Sequence, residues 1–210
     1  MPYAFYIVGE HFFFSKRARR HEDDDNEEDE RDEEKLGVRV CGNRILFYCD
    51  VTQETVTELV AKLQEVSTKL LAQHNSAPNP IILHINSDGG CLFSGLAAMD
   101  HVRTCVVPVH TVIDGFCASA ATFIAVAGAK RYVQRHAWLL IHQMRTGFWG
   151  TSSELRDEAQ NCEHMMRAIK RVYSTYSTMS AKKVAEIIQR ELYFDSAECV
   201  KLGIADAIYE

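Results

Sequence analysis

The sequence predicts an α/β fold built on a mostly parallel sheet. Three observations carry that expectation. Apolar, β-branched runs alternate with stretches of three- and four-residue apolar spacing in the order strand, helix, strand, helix, strand, the pattern of right-handed crossover units. Glycines punctuate the ends of the strand-like runs, at Gly89-Gly90 and at Gly115. The 210 residues, 47% hydrophobic and 25% charged, suit one well-cored soluble domain.

The elements follow in order. "YAFYIVGEHFFF" has the aromatic and β-branched richness of a strand, and "GVRVCGNRILFYCDV" reads as one or two more. Between them lies a charged block at about 16–35: "KRARR" is followed by residues 22–34, where eleven acids face only Arg31. That acidic run carries −10, so the remaining chain carries +4 of the overall −6. With almost nothing apolar to bury, the block reads as a solvated, flexible insertion between strands, with gating or partner docking as the functional alternative. "KRARR" is too short a basic run to argue nuclear import.

From Asp50 or Thr52 as N-cap, Val56, Leu59, Val60, Leu63, Val66 and Leu70 form a helical stripe that "NSAPNP" ends. "PIILHI" (80–85) is a strand, "NSDGG" (86–90) a turn, "LFSGLAAMDHVRT" a helix and "VVPVHTVI" a strand before Gly115. "RYVQ" and "AWLLIH" follow as strand-like pieces. A long helix then runs from about Ser152 to Thr178. Its intermittent stripe of Leu155, Cys162, Met165, Met166, Ile169, Val172 and Tyr176 needs a partner, in the same domain or in another copy. "SAKKVAEIIQRE" and "SAECVKLG" are shorter helices, the second stopped by Gly203, and "IADAIY" is a closing strand.

Several function classes drop out. The seven cysteines are scattered without a CxxC, which reads as buried thiols in a reducing compartment, with neither a disulfide framework nor a zinc site. No run approaches the roughly 18 apolar residues of a membrane helix, and "MPYAFYIVGE" lacks a secretory n-region, so a cytoplasmic protein without a membrane segment is expected. GxGxxG and GxxxxGK[ST] are absent. No cofactor, metal or nucleic-acid partner is expected.

Candidate chemistry sits at three places. Gly89-Gly90 after an apolar strand can turn tightly and aim amides at an anion, although two such glycines are commonly just a turn. Ser119 follows a strand and opens the Ala-rich "GFCASAATF", where a helix N-terminus favours developing negative charge. A serine among alanines is equally a small residue that lets two backbones approach. His142 ends "AWLLIH", a strand mouth where an imidazole would be half wet and free to exchange protons. For an acidic partner, Asp114, Glu191, Asp195 and Asp206 all flank apolar runs, and the residues alone do not rank them.

Taken together, "HINSDGG", "GFCASAATFIAVAGAKRY", "LLIHQM" and "FDSAECVKLGIAD" resemble the proteolytic subunit of the Clp protease family over roughly residues 43–209. The resemblance implies an α/β chain of the Clp-peptidase and crotonase-like fold, a repeated β-β-α superhelix with a protruding handle helix. It implies a divergent N-terminal region over 1–42 and a peptidase domain over 43–210, whose handle strand and helix occupy about 144–178. The family's nucleophile falls on Ser119, its general base on His142, its oxyanion-hole amides on Gly90 and Ala120, and its triad aspartate on Glu191, with Asp195 or a weak third member as alternatives. Activity on unfolded polypeptides inside stacked rings of seven copies, fed by an AAA+ unfoldase, is implied as well. The charged block would then ring the entrance pore and repel acidic polypeptides.

Some residues depart from the family pattern. Asp88 and Met144 stand where proline is common, and the interval from Ser119 to His142 is two residues shorter than in familiar bacterial members, as in phage-type relatives. The resemblance therefore also admits a virus-encoded processing peptidase and a non-catalytic ring subunit, while crotonase-type thioester chemistry would not require Ser119 and His142.

Overall fold

In the computed structural model, which describes residues 6–7, 37–73 and 78–210, the chain opens with strand β1 (Tyr6–Ile7) and a hairpin of β2 (Val38–Cys41) and β3 (Arg44–Phe47). The charged block at 16–35 lies outside the described residues. Helix α1 (Gln53–Gln73) follows, and Thr52 caps it: its hydroxyl accepts from the Thr55 amide at 3.2 Å. The Asp50 carbonyl instead accepts the Thr55 hydroxyl at 2.6 Å. The α1 stripe buries Val56, Leu59, Leu63, Val66 and Leu70 against the sheet as its spacing predicts.

The next unit is β4 (Ile81–Ser87), β5 (Gly90–Cys91) and α2 (Leu92–Thr104), so that β2-β3-α1 is followed by β4-β5-α2 in a β-β-α repeat. Then come β6 (Val109–Ala118), α3 (Ala121–Val126), β7 (Lys130–Val133), β8 (Trp138–Leu140) and α4 (Ser152–Tyr176). The chain closes with α5 (Ala181–Ile188), β9 (Tyr193–Phe194), α6 (Ser196–Lys201) and β10 (Ala207–Ile208). Gly203, at φ 68, ends α6 as its C′ residue.

The main sheet runs β10-β7-β6-β4-β3-β2 and is parallel except for the β2-β3 hairpin. Strand β6 is longer than "VVPVHTVI" suggests, because it continues through Gly115 to Ala118. Two different neighbours hold its two halves. His110–Ile113 pair with β7, whereas Phe116–Ala118 pair with β8, and β9 adds antiparallel to β8. Likewise β4 extends to Ser87 because Cys117 lies opposite it. A second small sheet joins β1 to β5.

Residues 141–151 have no regular secondary structure, so the handle strand implied by the resemblance is not formed. The physical reason is that a strand needs a ladder partner, and among the described residues none pairs with this segment. Helix α4 starts sharply where Thr151 and Glu154 form a capping box. Its stripe is only half covered. Ile169 and Tyr173 are buried, whereas Leu155 is 48% exposed.

One buried chain of hydroxyls fixes the C-terminal half of α4. The Thr122 hydroxyl donates to the Ser119 carbonyl at 2.5 Å, which leaves the Tyr173 hydroxyl to donate to Thr122 Oγ1 at 2.6 Å. Burial pushes the Tyr173 phenol well above its ordinary pKa, so it stays a donor. Replacing Tyr173 with Phe should lower stability by about 1–2 kcal/mol through the unpaired Thr122 oxygen. A urea melt should show a lower midpoint with an unchanged slope.

Candidate active site

Ser119 stands at the tip of β6, between Ala118 and α3, and is the one non-glycine residue with positive φ (58) among the described residues. This left-handed backbone is unfavourable for a residue with a Cβ. Bonds on both sides hold it. Its amide donates to the Leu140 carbonyl at 2.9 Å, and its carbonyl accepts from the Thr122 amide at 3.1 Å as well as from the Thr122 hydroxyl.

Two glycines close in on the same turn. A Cβ on Gly89 would lie 2.6 Å from Ser119 Cβ and 2.7 Å from the Ala118 carbonyl oxygen. A Cβ on Gly95 of α2 would lie 2.8 Å from the Ala120 carbonyl oxygen. Close backbone approach is thus a real feature of "GFCASAATF", but it is provided by glycines from outside that stretch. The Gly89 position is also 3.0 Å from the Ala120 amide nitrogen, so the glycine turn and Ala120 border one elbow. Gly90 follows in β5, opposite Ile7 of β1 and bridged to Val51.

His142 lies two residues past the end of β8, which runs parallel to the second half of β6 with Leu140 opposite Ala118, so the histidine and Ser119 leave neighbouring strand ends. The Ser119–Leu140 bond continues that ladder one residue past the end of β6. The sequence suggests a half-wet imidazole, but His142 is only 3% exposed. The segment after β8 turns back against α4, where the Met144 amide meets Met166 Sδ at 3.5 Å. Neither ring nitrogen of His142 reaches a side-chain partner among the described residues. Burial pulls the imidazole pKa down, a hydrogen bond with the Gln143 backbone raises it, Arg145 lowers it and Glu191 raises it; the net direction is downward. The neutral form, the one able to take a proton, is therefore favoured.

Glu191 precedes β9, whose antiparallel register with β8 sets Tyr193 opposite Leu140 and Phe194 opposite Leu139. The ladder ends there, and Glu191 and His142 lie two residues beyond it on the two segments, near enough for the carboxylate charge to raise the imidazole pKa. The carboxylate nevertheless goes to Arg145, with which it forms an ion pair. So the backbone brings Glu191 to the histidine, and its side chain is held elsewhere.

The other candidate acids are engaged at distant points. Asp114 accepts from Tyr48 at 2.5 Å and pairs with His84 Nδ1 at 2.8 Å. Asp195 caps α6 by accepting from the Glu198 amide at 2.8 Å, and Asp206 pairs with Arg131. Cys117, two residues before Ser119, is buried, and burial with the nearby Cys199 raises its thiol pKa, so it is no rival nucleophile at neutral pH. Among the described residues no group of His, Cys, Asp or Glu side chains is placed to hold a metal ion, and no helix is long and apolar enough to cross a membrane.

The sequence reading missed Arg145, Thr122, Tyr173 and Gly95. Gly95 lies inside the predicted helix "LFSGLAAMDHVRT" and Thr122 inside an Ala-rich segment, where nothing local marks either. Arg145 carries no periodic or motif signal at all, since it lies in an irregular segment and meets a residue 46 positions away.

Comparison with known proteins places this arrangement in a lineage. The Clp protease family profile matches residues 28–210. The ATP-dependent Clp protease proteolytic subunit of Pleurastrum terricola is 31% identical over 168 residues, covering 79% of this chain and 83% of that protein. ATP-dependent Clp protease proteolytic subunit 1 of Leifsonia xyli is 31% identical over 175 residues, 82% of this chain and 86% of its own. Subunit 2 of Treponema denticola is 29% identical over 180 residues, 84% of this chain and 87% of its own. An α/β chain whose glycine turn, serine elbow and histidine strand meet at one end of the sheet, and which matches over most of its length, belongs to the Clp protease family.

Proposed function

We propose that the chain is a serine endopeptidase in which Ser119 is the nucleophile, His142 the general base and Glu191 the third member. One observation supports this reading: β6, β8 and β9 are neighbouring strands, and Ser119, His142 and Glu191 stand one or two residues beyond their paired ends, where the Glu191 charge acts on the imidazole. As Ser119 Oγ attacks a peptide carbonyl carbon, its proton passes to His142 and the carbonyl π electrons move onto oxygen. The amides of Gly90 and Ala120 hold that oxyanion. Collapse breaks the C–N bond, and the departing amine takes the proton from His142. Water then repeats the cycle on the acyl enzyme and frees the acid.

The substrates proposed are unfolded or extended polypeptides, cleaved inside a chamber formed by copies of this chain in the cytoplasm. The relatives are named proteolytic subunits of an ATP-dependent protease, which supports rings, here of seven stacked in pairs, supplied by an AAA+ ATPase unfoldase. Trp149, 96% exposed, and Leu155, exposed in the first turn of α4, offer apolar surface such an assembly would cover. A non-catalytic ring subunit is the competing reading, favoured by the pairing of the Glu191 carboxylate with Arg145 instead of with His142.

A fluorophosphonate probe decides between the two. Labelling of the wild type but not of Ser119→Ala, with peptide cleavage reduced about 10⁴-fold or more, is the expected result; an unlabelled wild type would sink the peptidase. Because burial lowers the His142 pKa, its basic form should persist to lower pH than in an unperturbed imidazole. The acid limb of kcat/KM should therefore fall below about pH 6.5. In sedimentation, Leu155→Glu should shift the protein from large species to small ones.

A further inference from the structure

We propose that Arg145 is a positioning residue that restrains the site by competing with His142 for Glu191. The inference rests on the proposed role of Glu191 and adds a control over it. Glu191 and His142 both follow closely on the end of the β8–β9 ladder, and the Glu191 charge already acts on the imidazole, so a change of side-chain rotamer takes the carboxylate from one partner to the other without moving β9. In this structure Arg145 holds the carboxylate, and neither nitrogen of the buried imidazole reaches a side-chain partner.

The competition is between unequal environments. The Arg145 and Glu191 side chains are 36% and 56% exposed, so their pair is bathed in water and weak. The imidazole is buried, where an ionic hydrogen bond is worth more once a proton arrives. Arg145 thus opposes catalysis twice: it keeps the carboxylate away, and its own charge disfavours imidazolium. Its position makes it releasable. It sits three residues beyond His142 on the irregular 141–151 segment, beside a groove against α4 lined by Met144, Glu163, Met166 and Lys170. Movement of that segment carries Arg145 away while β8 and β9 remain paired.

The test compares Arg145→Gln, Arg145→Lys, Glu191→Gln and the Arg145→Gln/Glu191→Gln double variant in the full chain, reading kcat, KM and the pH profile. Arg145→Gln should raise kcat about two- to five-fold, the range an exposed ion pair accounts for, with KM little changed. Its acid limb should move to higher pH, since the imidazole gains the carboxylate and loses the cation; the charged groups acting on His142 are these two. Arg145→Lys should stay near wild type. In the double variant the gain in kcat should vanish. A drop or no change in kcat for Arg145→Gln, or the same gain without Glu191, overturns the proposal. If Glu191→Gln reduces activity while Arg145→Gln gives no gain, the restraint alone fails. If Glu191→Gln leaves kcat untouched, the third-member role of Glu191 fails and takes the restraint with it, while loss of activity in Ser119→Ala still upholds the nucleophile.

Discussion

A single left-handed serine sets the terms for its surroundings. A non-glycine residue at φ 58 costs on the order of 1–3 kcal/mol and persists only where its neighbours over-determine it. Here they do. The Leu140 carbonyl takes the Ser119 amide, the Thr122 side chain and amide take its carbonyl, and Tyr173 supports Thr122 from α4. Gly89 and Gly95 leave room for the turn because neither carries a Cβ. Strand β8, helix α2 and the buried half of α4 thus all meet on four residues, and their placement makes sense as the support of that turn.

Local pattern and long-range pairing left different marks in the chain. Helix α2 matches "LFSGLAAMDHVRT" from end to end, and the α1 stripe is buried as its spacing predicts, because amphipathic periodicity is written in the helix itself. A shared site for Gly90, Ser119 and His142 was legible, as an expectation, through family resemblance. Strand β9 was not. It has two residues, and it exists only because β8 offers it a ladder. The continuation of β6 beyond Gly115 depends in the same way on β8 and on Cys117 facing Ser87. Pairing partners decide such elements, and sequence carries no local trace of the partner.

Histidine beside a carboxylate is not in itself a sign of a site. His84 and Asp114 form a closer pair than His142 and Glu191 do, at 2.8 Å. Their third member is Tyr48, whose phenol is pushed upward by burial first and then by its bond to Asp114. The group links β4 and β6 to the chain just after β3, and Tyr209 packs edge-on against the imidazole at 5.7 Å between ring centres. It is a polar rivet between neighbouring strands, and it removes Asp114 from the acids available to His142.

The exchange of neighbours along β6 has a mechanical meaning. Below Gly115 the strand is sewn into β4 and β7; above it β8, and thence β9, replaces β7, while β4 keeps only the Ser87–Cys117 pair. One covalent strand therefore crosses a seam between two cooperative blocks: a broad foundation and a small flap of β8, β9 and the 141–151 segment. Small cooperative blocks open at lower free energy than the whole fold. The flap can loosen while the foundation stays closed, and the serine turn, stitched to Leu140 by one hydrogen bond, registers that loosening at once.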